Sequence, residues 1–250
     1  MSTVAIVQAR MTSTRLPGKV LLPILGRPML AYEIERLRKT RGVDRIVLAT
    51  TVNSTDDAVA EFCAAQGLDC HRGSEHDVLA RYYEAAVKFD ARVVVRATAD
   101  CPLIDPDVVA RVLDEFASAD GCDYASNMLT PTFPYGMAAE VFTFAALKEA
   151  FVNAREPAER EHVTPYIYWH PERFRMRSVT MSPDLSGHRW TVDTPEDFAL
   201  VNRILTALYP VKPDFRIADL LALVQANPEW ESVNRHVRQT MVRPSEGARQ

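Results

Sequence analysis

Val4-Ala5-Ile6-Val7-Gln8-Ala9-Arg10-Met11-Thr12-Ser13-Thr14-Arg15-Leu16-Pro17-Gly18-Lys19 opens as an apolar run and closes in hydroxyls, cations, a proline and a glycine. This is the pattern of a buried strand that ends in an anion-binding loop. Arg10, Arg15 and Lys19, with Ser13 and Thr14, are able to form charge-assisted hydrogen bonds to phosphate oxygens. A Walker P-loop would need glycine at position 13 and Ser or Thr after the lysine, where this chain has Ser13 and Val20. A dinucleotide fingerprint would need three glycines in one turn, and only Gly18 is present. Taken alone, the stretch is also readable as a solvated basic loop.

Outward from this stretch, strands and helices alternate. Met29 to Arg38 places Leu30, Ile34 and Leu37 on one helical face. Strands are predicted over 45–50, 69–71 and 92–97, with helices over 56–66 and 75–89 between them. Near-continuous apolar strands separated by helices predict an α/β fold, a mostly parallel sheet with helices on both faces. Ligands of such sheets bind beyond the carboxyl ends of the strands, so the opening loop, Thr50-Thr51 and Thr98 to Asp100 should share one site. Further on, strands are expected at 123–126, 139–142 and Trp190 to Val192. Helices are expected over 143–154, from Thr194-Pro195 and over 217–225, with a less regular segment running through Trp169. Asp105 and Asp107 spell a metal-binding DxD, yet Asp105-Pro106 also reads as helix cap and first helical residue, and the capping reading is preferred.

The 250 residues suffice for one large α/β domain without crosslinks. A net charge of −4 argues against a nucleic-acid binder. Cys63, Cys70, Cys101 and Cys122 form no CxxC pair, which suits reduced thiols in a cytoplasmic protein; Cys101, beside Asp100, reads as a small, partly buried filler in preference to a reactive thiol. Neither a signal peptide nor a membrane span is read from the sequence.

Ala9-Arg10, Ser13 to Lys19 and Gly26-Arg27-Pro28-Met29 resemble the nucleotide-binding signature of the sugar cytidylyltransferases, which include the acylneuraminate and 3-deoxy-manno-octulosonate enzymes. The resemblance is strongest to their spore coat polysaccharide branch. It continues through Thr98-Ala99-Asp100-Cys101-Pro102-Leu103-Ile104-Asp105, Arg160-Glu161-His162-Val163-Thr164-Pro165-Tyr166 and Thr191-Val192-Asp193-Thr194-Pro195-Glu196-Asp197-Phe198.

The resemblance implies a nucleotide-diphospho-sugar transferase-like fold over residues 1–210. It also implies an excursion over 127–180 for dimer contact and acceptor binding, holding the aromatic cluster Tyr166, Tyr168, Trp169 and Phe174. A helical extension over 211–237 and a disordered tail over 238–250 complete the expected layout. The implied reaction transfers CMP from CTP to a sugar acid of the nonulosonic type, with pyrophosphate released, for surface polysaccharide synthesis. Arg10, Lys19 and Asp100 would be catalytic, and Ala9, Ser13, Thr14, Arg15, Arg72 and Ser74 would join Arg10 and Lys19 on the nucleotide. Glu161 and His162 would lie at the acceptor, and Asp100 and Asp193 would hold Mg²⁺. A glycosyltransferase using Asp105 and Asp107 for metal, and a non-catalytic coat protein, are the competing readings.

Overall fold

The computed structural model describes residues 2–239. The strands are β1 Thr3–Gln8, β2 Pro23–Ile24, β3 Arg27–Pro28, β4 Arg45–Thr51, β5 Asp69–Gly73, β6 Val93–Thr98, β7 Tyr124–Ser126, β8 Glu140–Thr143 and β9 Met176–Ser178. The helices are α1 Met29–Leu37, α2 Asp57–Ala65, α3 Val78–Lys88, α4 Pro106–Ser118, α5 Phe144–Asn153, α6 Pro157–His162, α7 Pro165–Trp169, α8 Pro195–Leu208 and α9 Ile217–Ala226. β2 and β3 form a small hairpin, and the other strands make one sheet in the order β5-β4-β1-β6-β8-β7-β9.

β1 is the axis of this sheet, parallel to β4 on one side and to β6 on the other. Its residues Val4 to Val7 are fully buried, alternating between two cores. Ala5 and Val7 pack with α1, α2, α4, α8 and α9. Val4 and Ile6 pack with α3, α5 and α7 on the opposite face. Burial of each large apolar side chain is worth about 1.5–3 kcal/mol, so this covered strand fixes both register and layering.

The second half of the sheet is mixed. β8 runs antiparallel between β6 and β7, and β9 lies parallel to β7 at the edge. Residues 127–180 are thus woven into the sheet through β8 and β9. Tyr166 and Phe174 of the expected aromatic cluster are core residues, in an edge-to-face contact at 6.1 Å.

Caps set several helix starts. Asp77 accepts from Ala80 N, so α3 begins at Val78 and leaves Glu75 and His76 in the loop before it. Asp105 caps α4 through Asp107 N at 2.9 Å and also receives Ile217 N at 2.6 Å, which ties α9 to α4. Thr194 and Asp197 form a capping box on α8.

Trp190 to Val192 correct the expectation of a returning strand. The stretch joins no strand of the described residues; Val192 N donates instead to Asp100 O at 2.8 Å. Of the expected tail over 238–250, residues 240–250 lie outside the described residues, and Gln239 accepts a hydrogen bond from Arg189. No helix among the described residues is long and apolar enough to cross a membrane.

Candidate active site

The loop after β1 is closed by its own backbone. Ala9 N continues the ladder to Ala49 O, and Gly18 N reaches back to Met11 O at 2.8 Å. Gly18 takes a φ of +71°, a conformation that side-chain-bearing residues avoid, and a Cβ there would stand 3.3 Å from the Met11 methyl. Below the loop, the fully buried Asp56 accepts Met11 N at 2.6 Å and the Thr51 hydroxyl. Glu75 accepts the Thr12 hydroxyl at 2.6 Å and Asn53 Nδ2 at 2.5 Å, and lies 3.5 Å from Arg10. The Thr12 and Asn53 hydrogen bonds keep its pKa below the usual glutamate value.

Gly18 turns the chain into a short 3-10 helix that buries the stem of Lys19. Its Nζ donates to Asp100 Oδ2 at 2.9 Å, Asp193 Oδ1 at 2.9 Å and Val192 O at 2.7 Å. All three ammonium donors are therefore used. Burial alone would lower the Lys19 pKa, but the two carboxylates outweigh it and raise it above the ordinary lysine value. Burial likewise opposes ionisation of Asp193, and Lys19, Arg15 and Arg189 reverse this, holding its pKa below the usual range.

The two acids come from distant parts of the chain, and only Asp100 follows a strand. Asp100 follows β6 and accepts the Thr98 hydroxyl on Oδ1 at 2.7 Å. Asp193 is brought beside it by the Val192–Asp100 backbone bond and by the Thr191 hydroxyl on Asp100 O. Arg15 lies 3.2 Å from Asp193 Oδ2. Arg10 and Arg15 keep 42% and 48% of their side-chain surface accessible, against 11% for Lys19, so they are the cations open to an incoming anion.

These groups line one cleft of about 540 Å³. Ala9, Arg10, Ser13, Thr14, Arg15, Lys19, Asp100, Asp193, Glu161 and His162 all meet there. Arg72 and Ser74, expected at the nucleotide, are not among its lining residues. Arg72 is spent on Thr51 O, Asn53 O and Asp57, and the Ser74 hydroxyl accepts Asp77 N. The loop contributes Glu75 and His76 to the cleft wall instead, joined by Arg81 and Arg160. The sequence signal for Glu75 and His76 was their place just past a strand's end, where ligands of such sheets bind. Arg160 opens the Arg160 to Tyr166 stretch of the resemblance, whereas Arg81 lies inside a helical pattern and carried none.

The His162 imidazole has no hydrogen-bond partner among the described residues, and burial lowers its pKa against the pull of Glu161, which leaves it neutral near pH 7. Glu33 on α1 lies beneath the site. It is 1% exposed, one oxygen accepts Cys101 N at 3.1 Å and the other has no partner. Burial and the nearby Asp100 raise its pKa well above the usual value. Burial raises the Cys101 thiol as well, as expected of a filler and not of a nucleophile.

Asp100 and Asp193 offer two hard oxygen donors at one point, beside cations suited to phosphate. That donor set fits Mg²⁺, which takes one or two carboxylates and completes its shell with phosphate oxygens and water. Asp105 is buried and its oxygens are engaged by two backbone N–H groups, so the DxD pair is a cap and not a metal site.

A family profile for cytidylyltransferases matches residues 4–218. The spore coat polysaccharide biosynthesis protein SpsF of Bacillus subtilis is 33% identical over 234 residues, 90% of this chain and 94% of its own. A 3-deoxy-manno-octulosonate cytidylyltransferase of Serratia proteamaculans is 32% identical over 192 residues, 75% of this chain and 73% of its own. A solved cytidylyltransferase from Leptospira borgpetersenii superposes with a TM-score of 0.88 at 32% identity, covering 97% of this chain and 100% of that one. The architecture is therefore of the nucleotide-diphospho-sugar transferase type, as the sequence motifs implied.

Proposed function

Since the chain belongs to the cytidylyltransferase family and is a nucleotidyltransferase, we propose that it transfers CMP from CTP to a sugar acid of the nonulosonic type, releasing pyrophosphate. The observation that carries this reading is the meeting of Lys19, Asp100 and Asp193 at one edge of the sheet, beside the accessible Arg10 and Arg15.

In this reading the triphosphate lies along the loop, held by Arg10, Arg15, Lys19 and the Ser13 and Thr14 hydroxyls, over Ala9. The acceptor enters from the side of Glu161 and His162, and its hydroxyl attacks the α-phosphorus in line. Negative charge grows on the leaving and non-bridging oxygens, so cations fixed at those positions stabilise the transition state more than the ground state. Asp100 and Asp193 would hold Mg²⁺, whose charge would neutralise the phosphate oxygens. The His162 imidazole, neutral and without a hydrogen-bond partner among the described residues, takes the acceptor proton. The surrounding layout follows the same reading: a homodimer formed through residues 127–180, working in the cytoplasm on a surface polysaccharide precursor.

Incubation with CTP, Mg²⁺ and a panel of nonulosonic and octulosonic acids tests the proposal. Pyrophosphate release that depends on both CTP and one acid is expected. Release with no acceptor in the panel would remove the acceptor assignment, and no release at all would remove the reaction.

A further inference from the structure

The family profile ends at residue 218, yet the chain past it returns to Arg189 and Asp197, which stand behind Asp193. After α9 a 3-10 turn, Trp230–Val233, packs against α8. Asn234 follows, 3% exposed, with Nδ2 donating to Asp197 Oδ1 at 2.9 Å and to Arg189 O at 3.0 Å. The buried guanidinium of Arg189 donates from Nε and Nη2 to the two Asp197 oxygens, each at 2.9 Å. Nη2 also reaches Asp193 Oδ2 at 2.9 Å, and Nη1 donates to Gln239 Oε1 at 2.7 Å. Asp197 in turn receives the N–H groups of Asp193 at 3.0 Å and Thr194 at 3.1 Å.

The Asp193 oxygens thus have different holders: Lys19 on Oδ1, and on Oδ2 the buried Arg189 together with the half-exposed Arg15. A guanidinium presents its donors in a rigid fork, so fixing Nε and Nη2 on Asp197 also fixes where Nη2 meets Asp193. Asn234 constrains the same Asp197 from the other side, and a buried polar network confers specificity only when its members are satisfied. Groups that orient a ligating carboxylate in this manner typically matter about 10–100-fold to metal affinity or activity.

We propose that Arg189 is the positioning residue for Asp193, and that Asn234 and Gln239 complete it, so that the C-terminal segment is part of the working site. This rests on the CMP-transfer reading in one respect only, the role of Asp193 toward a divalent cation.

The test compares the parent full-length chain with Asn234→Ala, Arg189→Lys and Gln239→Ala. The last, at an exposed position, keeps the test open should Asn234→Ala fail to fold. Glu231→Gln serves as control, since Glu231 binds His188 and Trp190 in the same segment without touching Arg189. Mn²⁺ affinity in the presence of CTP is read by electron paramagnetic resonance, beside kcat, KM for CTP and the thermal midpoint. Asn234→Ala and Arg189→Lys should weaken Mn²⁺ and lower kcat by about tenfold with KM for CTP within about twofold, and Gln239→Ala should move both the same way to a smaller extent. Glu231→Gln should lower the thermal midpoint and leave cation affinity unchanged. Parent-like Mn²⁺ affinity and kcat in the three variants, with only a lower thermal midpoint, would reduce the network to a structural brace and overturn the proposal. A parent that binds Mn²⁺ and CTP yet releases no pyrophosphate would sink the CMP-transfer reading, while the affinity comparison would still decide this one.

Discussion

The Lys19 ammonium lies 2.9 Å from Asp193 Oδ1 although 174 residues separate the two in the chain. It also holds Asp100, so one cation joins the end of β1's loop to the ends of two other segments. Removing a preorganised charge aimed at a developing oxyanion typically costs about 3–4 kcal/mol in the transition state. Lys19→Ala should therefore lower kcat for pyrophosphate release by about a hundredfold or more. Arg15 and Arg189 still attend Asp193, so circular dichroism should show a folded protein. A variant releasing pyrophosphate at the parent rate would contradict the assignment.

Glu75 is the brace of the phosphate loop, because it accepts from Thr12 and Asn53 and lies against Arg10. Glu75→Ala leaves two donors without their acceptor and frees Arg10. A charged hydrogen-bond acceptor is worth about 1.5–3 kcal/mol, which converts to a rise of about tenfold or more in KM for CTP. The effect on kcat at saturating CTP should be smaller, and steady-state kinetics over a CTP series separates the two.

His162 sets the acid limb of the rate profile if it takes the acceptor proton. Burial, opposed by Glu161, holds its pKa below the usual histidine value of about 6.5. The imidazole is the active, neutral form, so kcat/KM should be flat near neutrality and fall only as pH drops below about 6.5. His162→Gln should remove that limb and lower kcat. An unchanged acid limb in the variant would assign the proton to another group.

Much of this was legible in the sequence because the informative residues sit where periodicity breaks. Val4 to Gln8 gives way to a basic loop, and Thr98 to Asp100 ends a β-branched run, so two segments that line the cleft could be placed at the sheet's edge. The capping role of Asp105 was legible for the same reason, from proline at the first helical position. The pairing of Trp190 to Val192 was not, because an aromatic residue followed by two β-branched ones looks like a strand whether or not it finds a ladder. The partners of Arg72 were not legible either: a cation at a strand's end reads as a ligand group, and here backbone carbonyls and Asp57 engage it. Glu33 carried no signal, being one carboxylate in an amphipathic helix.

Glu33 makes a stability prediction with a definite sign. Its folded pKa is raised, by burial first and then by Asp100, so the folded state binds more protons than the unfolded chain between the two pKa values. Stability contributed by this group is present at acid pH and is lost as pH rises above the unfolded value of about 4.3. Glu33→Gln keeps an acceptor for Cys101 N and removes the titration. The thermal midpoint of the variant relative to the parent should rise from pH 5 to pH 8, and a constant difference would show that Glu33 does not titrate in that window.

The central claim is that the cleft joins CTP to an acid hydroxyl, and the direct measurement is mass-resolved product formation from CTP, Mg²⁺ and a nonulosonic acid. The account predicts equal amounts of a CMP-sugar and pyrophosphate, with Asp100→Asn and Asp193→Asn each lowering the rate by about a hundredfold. A parent enzyme that forms no CMP-sugar, or one in which both substitutions leave the rate unchanged, would contradict it.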